Sequence, residues 1–340
     1  MKTKFLLFMT AFMMILSSQA QTVITVDNSV GADADYNDLQ SAITNAADNS
    51  IIYVHASEIN YGDITVNKPL TIIGYSHSDS DKETMVDYVT LSNSASNVRF
   101  TGIHFTNNFV IDNDDTLITD LVLENNFFDN TIFFGGNAIA DDVIIRGNII
   151  YDIGTNSATN TKYTNTIISN NIFYNNLYVF YHESVQVHNN IFLNEGIITN
   201  IDEETGDLEV QDCIFYASVN SIYDPNRDGV VFNNCLTYND LNSVAALVGN
   251  ANIPDSDPLF VNATDDVFDA LTDDYTLQAT SPALGAGVDG DDIGLYSTNT
   301  NFTFNNLGFT AGIPIVTITS ITSQIAPGGD LEVTIQSNSN

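Results

Sequence analysis

LVLENNFFDN (Leu121 to Asn130), TIISNNIFYNN (Thr166 to Asn176) and VQVHNNIFLNE (Val185 to Glu195) are the three best copies of one phrase. Weaker copies begin at Val98, Val143, Leu208 and Val230. The second apolar residue after the Asn pair recurs at steps of 23, 22, 23, 19, 23 and 22 residues. A fixed period of this size indicates a solenoid, because one unit cannot bury its apolar face without a stacked neighbour. This recurring residue, the marker of each repeat, stands at Phe105, Phe128, Ile150, Phe173, Phe192, Phe215 and Thr237.

Each repeat opens with an apolar, any, apolar triplet such as Leu121, Val122 and Leu123. This alternation is typical of a strand that buries one face. The Asn pair then turns the chain, since Asn tolerates the left-handed backbone region and hydrogen-bonds its own backbone. Leucine-rich repeats have a similar length, but the sequence lacks their Leu-x-x-Leu-x-Leu frame. We therefore predict an all-β fold, a right-handed parallel β-helix with three short strands per coil, stacked about 4.8 Å apart.

Stacked repeats align equivalent residues in columns. The second Asn of each pair predicts a ladder of inward, hydrogen-bonded amides, formed by Asn126, Asn148, Asn171 and Asn190 and continued by Cys213 and Cys235. Two core thiols are favoured over a bridge, because parallel strands hold their side chains side by side. A polar column is expected to face outward at Thr101, Glu124, Arg146, Ser169, His188, Gln211 and Asn233. The residue after the marker, also expected to face outward, is a tyrosine at Tyr151, Tyr174, Tyr216 and Tyr238.

The flanking segments differ in composition from the repeats. Lys2 and Lys4, an apolar run and Ser18-Gln19-Ala20 form a secretory signal, so we expect cleavage near Ala20 and a secreted or cell-surface protein. The alternating stretch after Gly312 is similar to the first strands of an immunoglobulin-like module. The predicted organisation is a signal peptide at 1–20, a β-helix at 21–300 with an N-terminal capping helix at 35–47, repeats at 98–240 and a C-terminal cap at 241–300, and a linker with a short β segment of a partial immunoglobulin-like surface module at 301–340.

Two stretches outside the repeats resemble known proteins. VITVDNSVGADADYNDLQSAITNAADNSIIYVHASEINYGDITVNKPLTIIGYS, from Val23 to Ser76, looks like the opening of pectin-lyase-like β-helix proteins. Residues 257–296 are similar to the closing segment of bacterial β-helix proteins of the choice-of-anchor Q type. The resemblance implies this fold and an exported protein, and it carries no catalytic assignment. The matching pieces of the closing segment are Asp257-Pro258-Leu259-Phe260, Tyr275-Thr276-Leu277, Ser281 to Gly287 and Asp292-Ile293-Gly294.

The charge of the chain restricts its partners. The sequence has 8 basic and 43 acidic residues, and cleavage of the signal would leave 6 basic residues and a formal charge near −37. Phosphate binding needs clustered Lys and Arg, so nucleic acid is not an expected partner. No later stretch is apolar for long enough to predict a transmembrane segment. We expect a monomer whose partner is a polysaccharide or a cell-surface glycan.

Catalytic candidates are few. The Gly-His-Gly and Arg-x-Lys motifs of polygalacturonase-like hydrolases are absent. A polysaccharide lyase needs a base and a cation that neutralises the uronate, and Arg146 is the best basic candidate, with Glu124 and His188 in the same outward column. The alternative is a lateral ion pair between Arg146 and Glu124 on an exposed sheet face. That alternative is favoured, because so negative a protein would also repel acidic polysaccharides.

Two ligand sites remain as hypotheses. Asp224, Asn226 and Asp228 have the D-x-N-x-D-G spacing of a calcium loop, although its twelfth position is Cys235; the alternative is a polar turn. The tyrosine column could stack on sugar rings, or it could lie under loops. We predict a secreted or cell-surface protein with a non-catalytic binding or adhesion function, whose expected ligand is carbohydrate. A calcium-assisted lyase and a structural stalk are the alternatives.

Overall fold

The computed structural model describes residues 21–79, 82–92, 94–111, 117–135, 138–155, 162–179, 184–200, 207–296, 302–310, 314–321 and 333–339. The expected signal peptide lies outside the described residues. No helix in the described ranges is long and apolar enough to cross a membrane.

The described residues up to 155 form one α-helix and fifteen strands. The helix, α1, is Leu39–Asn45. The strands are β1 (Val23–Val26), β2 (Ser50–Val54), β3 (Ile64–Val66), β4 (Leu70–Gly74), β5 (Met85–Val86), β6 (Val89–Leu91), β7 (Arg99–Thr101), β8 (His104–Phe105), β9 (Phe109–Ile111), β10 (Leu117–Thr119), β11 (Val122–Glu124), β12 (Phe127–Phe134), β13 (Ile139–Asp141), β14 (Ile144–Arg146) and β15 (Ile149–Thr155).

The described residues after 155 continue the strands, and Val288–Gly290 forms a 3-10 turn. The strands are β16 (Lys162–Thr164), β17 (Thr166–Ser169), β18 (Ile172–Phe173), β19 (Leu177–Val179), β20 (Val185–His188), β21 (Ile191–Phe192), β22 (Ile198–Asn200), β23 (Leu208–Gln211), β24 (Ile214–Ala217), β25 (Val230–Asn233), β26 (Leu236–Asn239), β27 (Gly249–Asn250), β28 (Phe260–Asn262), β29 (Asp274–Leu277), β30 (Pro314–Ile321) and β31 (Val333–Ser339).

These strands form a parallel solenoid. The first sheet has 11 strands in the order β1-β2-β4-β7-β11-β14-β17-β20-β23-β25-β27, and the second sheet has 13 strands and runs from β3 to β26. A third sheet contains β10, β13 and β16. Equivalent residues pair from coil to coil; for example, Glu124 pairs with Arg146 and Arg146 pairs with Ser169. The predicted all-β parallel solenoid is confirmed.

The interior is built from the predicted columns. The marker residues are fully buried, and Phe173, Phe192 and Phe215 stack with ring centroids 4.8 and 4.9 Å apart. Asn148 shows how the ladder works: its Oδ1 accepts from the backbone N–H of Asn126 at 2.9 Å, and its Nδ2 donates to Leu123 O at 2.8 Å. Each amide therefore joins two coils and satisfies backbone groups at a buried corner.

The acceptor in the ladder changes from an amide oxygen to sulfur near the end of the repeats. The backbone N–H of Asn190 lies 3.4 Å from the Sγ atom of Cys213. Cys213 and Cys235 are buried free thiols, as the column predicted. An amide resumes the ladder at Asn252, whose Oδ1 accepts from the N–H of Cys235 at 2.9 Å.

Helix α1 is shorter than the predicted 35–47. Asp38 caps its N-terminus by accepting from the N–H of Ser41 at 2.7 Å. The buried side is the predicted stripe, including Leu39, Ala42 and Ile43, and it packs against the first strands of the solenoid. At the other end of the chain, β30 and β31 form an antiparallel hairpin.

Candidate functional site

A C-terminal cover lies on the outer face of the second sheet. We use this name for the described residues of 257–310. It includes the antiparallel pair β28 and β29, and it builds a second apolar core against the solenoid. The solenoid side of that core is a column formed by the first apolar residue after each Asn pair: Ile149, Ile172, Ile191, Ile214 and Leu236. The cover contributes Phe260, Phe268, Tyr275, Ala283, Ile293, Leu295 and Phe304.

The cover is also held along the corner of the coils. The first residue of the Asn pair has a left-handed backbone at Asn170 and Asn189, and these two side chains reach the cover. Asn170 Nδ2 donates to Leu295 O at 2.8 Å, and Asn189 Nδ2 donates to Gly294 O at 3.1 Å. In the next coil, Oδ1 of Asp212 accepts from the N–H of Val288 at 2.9 Å. This corner column therefore binds the backbone of the cover, a role that the repeats alone did not predict.

Arg146 and Glu124, two members of the proposed lyase trio, form an ion-paired group. Glu124 Oε2 lies 2.6 Å from Nε of Arg146, and Oε1 lies 2.6 Å from Nη2 of Arg99. The guanidinium of Arg146 also lies over the ring of Phe302, 5.2 Å from its centroid. The Glu124 side chain is only 8% exposed. The pairing is the lateral ion pair that the sequence offered as the alternative to a base, but its carboxylate is buried and does not lie on an exposed face.

His188, the third member, lies two strands away from Arg146 in the first sheet, about 9.6 Å along the stack. Its Nδ1 is 2.9 Å from Oδ1 of Asn189. Ser169, which stands between them in the column, is buried. The structure therefore brings together Glu124 and Arg146 and leaves His188 apart.

The tyrosine column is divided by the cover. Tyr151 is 43% exposed, whereas Tyr216 is 4% exposed and packs against Phe260. Tyr174 and Tyr238 are half-buried against the second core, and burial raises the pKa of Tyr174 and of Tyr216 above the ordinary range. The rings of Tyr216 and Tyr238 are inclined at 47° to each other. The four rings do not form one exposed plane, because the cover lies over part of the column.

The loop of the predicted calcium site is internally hydrogen-bonded. Asp224 Oδ1 accepts from the side-chain amide of Asn226 at 2.8 Å, and Oδ1 of Asn226 accepts from the N–H of Val248 at 2.8 Å. Arg227 Nη1 donates to the carbonyl oxygen of Asp224 at 3.0 Å, while Asp228 is exposed. Within the described ranges no group of three or more His, Cys, Asp and Glu side chains is arranged to hold a metal ion. Calcium at this loop stays a prediction.

His104 is a charged site that the sequence reasoning missed. Its Nδ1 lies 3.1 Å from Glu83 Oε2, and its Nε2 lies 2.9 Å from Asp129 Oδ2. Its ring stacks on Phe127, with centroids 4.8 Å apart and planes 12° apart. Burial lowers the pKa of His104, but hydrogen bonds and charge from Asp129 and Glu83 outweigh it and raise that pKa to about 9. The sequence did contain a signal for this site. His104 stands in the same column as Phe127 and Ile149, whose later members are all apolar.

The pairing of His104 predicts that the free energy of unfolding falls at alkaline pH. The folded pKa of about 9 lies above the unfolded value of 6.5, so the stabilisation is complete below pH 6.5 and is lost as the pH rises through 9. The pKa difference corresponds to roughly 3 kcal/mol. Urea denaturation of the parent and of His104→Gln from pH 6 to pH 9.5 should give a difference that shrinks by this amount.

The groups that face His104 are Glu83, Asp129, Phe127 and the buried His77, whose own pKa burial lowers to about 3. The comparison of parent and variant therefore covers the window from pH 6.5 to 9. Parallel stability curves for parent and variant over that window would contradict the assignment.

Asp152 is a second titratable group that the sequence did not single out. Burial raises its pKa to about 6, and its Oδ1 has no hydrogen-bond partner among the described residues. No charged side chain contributes to this pKa. Asp152 therefore stands apart from the acids around His104.

Tyr151 lies at a β-bulge that the repeat pattern did not predict. The register of β12 and β15 shifts between Phe128 and Thr131, so Asp129 and Asn130 together stand opposite Tyr151. All three side chains are exposed. Bulges re-aim side chains and often occur beside binding sites. We name Tyr151, Asp129 and Asn130 the bulge surface.

The chain matches none of the protein-family models, and no curated protein matches it either. The structure is a parallel β-solenoid. The resemblances to pectin-lyase-like and choice-of-anchor Q proteins stay predictions from the sequence.

Proposed function

We propose that this is an exported, non-catalytic protein that binds a neutral glycan at the bulge surface. The observation that carries the proposal is the exposed ring of Tyr151 opposite the exposed carboxylate of Asp129 and amide of Asn130. An aromatic ring offers an apolar face to a pyranose ring, and carboxylate and amide groups hydrogen-bond hydroxyls. Of the four tyrosines in the column, Tyr151 is the one that the cover leaves most accessible.

The charge of the protein favours a neutral ligand over an acidic one. The chain has 43 acidic and 8 basic residues, and the field near the bulge surface includes Asp129, Asp269 and Asp273, which all act on the neighbouring Tyr174. A polyuronate would meet like charge at this surface. Neutral hexose polymers carry no such penalty.

A non-catalytic role is supported by the state of the basic side chains. Arg146 and Arg99 both neutralise Glu124, Arg227 caps carbonyl groups of its own loop, and Lys68 donates to the carbonyl oxygens of Thr44 and Ala46 at 3.0 and 3.1 Å. A lyase base must reach the proton it abstracts. In this protein, these side chains are used to hold the fold.

Replacing Tyr151 with alanine is expected to weaken glycan binding by at least about fivefold, since stacking on a ring contributes about 1 kcal/mol or more. Calorimetric titration of the full chain against neutral oligosaccharides, with calcium and with a chelator, measures this effect. The matched control is Tyr216→Phe, because the buried Tyr216 ring keeps its packing and should leave affinity unchanged. Equal affinity of Tyr151→Ala and the parent would overturn the site.

The same preparations discriminate the two alternatives. If incubation with a polyuronate yields a product that absorbs in the ultraviolet, and the Arg146→Ala variant yields none, the protein is a lyase. If the parent protein binds none of the glycans, a structural stalk is favoured. Loss of binding in the chelator would implicate the Asp224, Asn226 and Asp228 loop.

A further inference from the structure

The cover packs on Leu236 in the last coils but does not continue past them among the described residues. It runs back from the last coils towards the first ones: Thr310 lies 3.1 Å from Thr101 through their hydroxyl groups, and the N–H of His77 donates to Leu307 O at 3.2 Å. The opposite end of the first sheet is β27. We name the described residues 219–255 the tip; they belong to the last coils.

The tip has an open strand edge. β27 pairs with β25 through Phe232–Gly249 and Asn233–Asn250, and it is the last strand of the first sheet among the described residues. Gly249 allows this close approach, because a Cβ there would overlap the carbonyl oxygen of Phe232 and its φ is +140°. An unpaired strand edge offers backbone donors and acceptors to an added strand.

Three large apolar side chains are exposed on the tip. Ile222, Leu241 and Val248 are 66%, 53% and 59% exposed. They lie on neighbouring coils, since Asn239 Nδ2 donates to Ser221 O at 3.0 Å and the N–H of Val248 donates to Asn226 Oδ1 at 2.8 Å. Val248 directly precedes the open edge of β27, and exposed apolar groups on such a surface are typical of an interaction site.

The charge around these apolar groups is negative. The tip and the two residues after it, 256 and 257, contain five acidic residues and one basic residue, Arg227. Arg227 Nη1 is held by carbonyl oxygens of its own loop, and Asp224, Asp228, Asp240, Asp255 and Asp257 are exposed. A second copy of this acidic chain would be repelled here, whereas a basic segment would be attracted.

We propose that the tip binds an extended, basic segment of another polypeptide, which pairs with the edge of β27 and covers Leu241 and Val248. Backbone pairing supplies the affinity, alternate apolar side chains of the segment cover the exposed groups, and its Lys or Arg side chains face the acids. This surface is independent of the bulge surface.

A fluorescent peptide of alternating Lys and Val tests the proposal with the full chain at about 0.15 M salt, where long-range charge attraction is largely screened. We expect anisotropy to show saturable binding, and the double variant Leu241→Ser, Val248→Ser to weaken it about tenfold. The matched control is Val267→Ser, Leu271→Ser, which removes two equally exposed apolar groups from the cover. An N-methylated form of the peptide, which cannot pair with an edge, should not bind.

Three results would overturn the proposal. They are equal loss of affinity in the tip and control variants, full binding of the N-methylated peptide, and no saturable binding of the parent. Light scattering gives a fourth test. If the parent self-associates and the tip variant does not, the partner of the tip is a second copy of this chain.

Discussion

Replacing Ile191 with aspartate is expected to detach the cover from the solenoid at neutral pH. Ile191 is fully buried between the second sheet and the cover. The change removes about 2–3 kcal/mol of apolar burial and places an unpaired carboxylate in an apolar layer, which costs several kcal/mol more. A domain is stable by about 5–15 kcal/mol, so we expect a large loss in denaturant midpoint and rapid proteolysis in the loop between β28 and β29.

The matched control for Ile191→Asp is Val267→Asp, which adds the same charge to the cover at a position that is 63% exposed. This control should keep the parent's stability within about 0.5 kcal/mol. Ile191→Ala should fall between them, at a cost of about 2–5 kcal/mol. If Ile191→Asp resisted protease and denaturant as well as the control, the second core would not contribute to stability.

The cover shows what the repeat pattern could and could not predict. Period and alternation predicted the strands, the marker column and the Asn ladder, because each depends only on neighbouring coils. The cover contacts coils that are distant in sequence, as where Asn170 meets Leu295 at a separation of 125 residues, so no local pattern placed it. A signal was present: Ile172 and Phe173 are consecutive apolar residues in β18, and a strand with an exposed outer face would alternate.

The same reason explains the outcome for the predicted site residues. The side chains of Arg146 and Tyr216 point out of the solenoid, as the repeat register predicted. They are nevertheless not freely exposed, because the cover packs on Tyr216 and Phe302 lies against Arg146. His104 was missed because its partners Glu83 and Asp129 lie 21 and 25 residues away. Sequence spacing predicted columns, and the packing of the cover decided which of their members remain available to a ligand.

Replacing Asn148 with alanine is expected to lower the free energy of unfolding by about 3–6 kcal/mol. Its Oδ1 accepts from the N–H and the Nδ2 of Asn126, at 2.9 and 3.2 Å. Its Nδ2 donates to Leu123 O at 2.8 Å and to Asn171 Oδ1 at 3.0 Å. All these groups are at a buried corner that water does not reach, so the truncation leaves several of them without partners, and each orphan costs about 1–3 kcal/mol.

Two variants separate this ladder effect from a general cost of losing an amide. Asn130→Ala, at an exposed position, should change stability by less than about 0.5 kcal/mol. Cys213→Asn should cost much less than Asn148→Ala, because the N–H of Asn190 already points at the Sγ of Cys213 and an amide oxygen accepts that bond better than sulfur does. Chemical denaturation of the three variants measures the order. A cost for Asn148→Ala no larger than that for Asn130→Ala would mean that hydrogen bonding between the coils does not hold this corner, and that the apolar columns alone do.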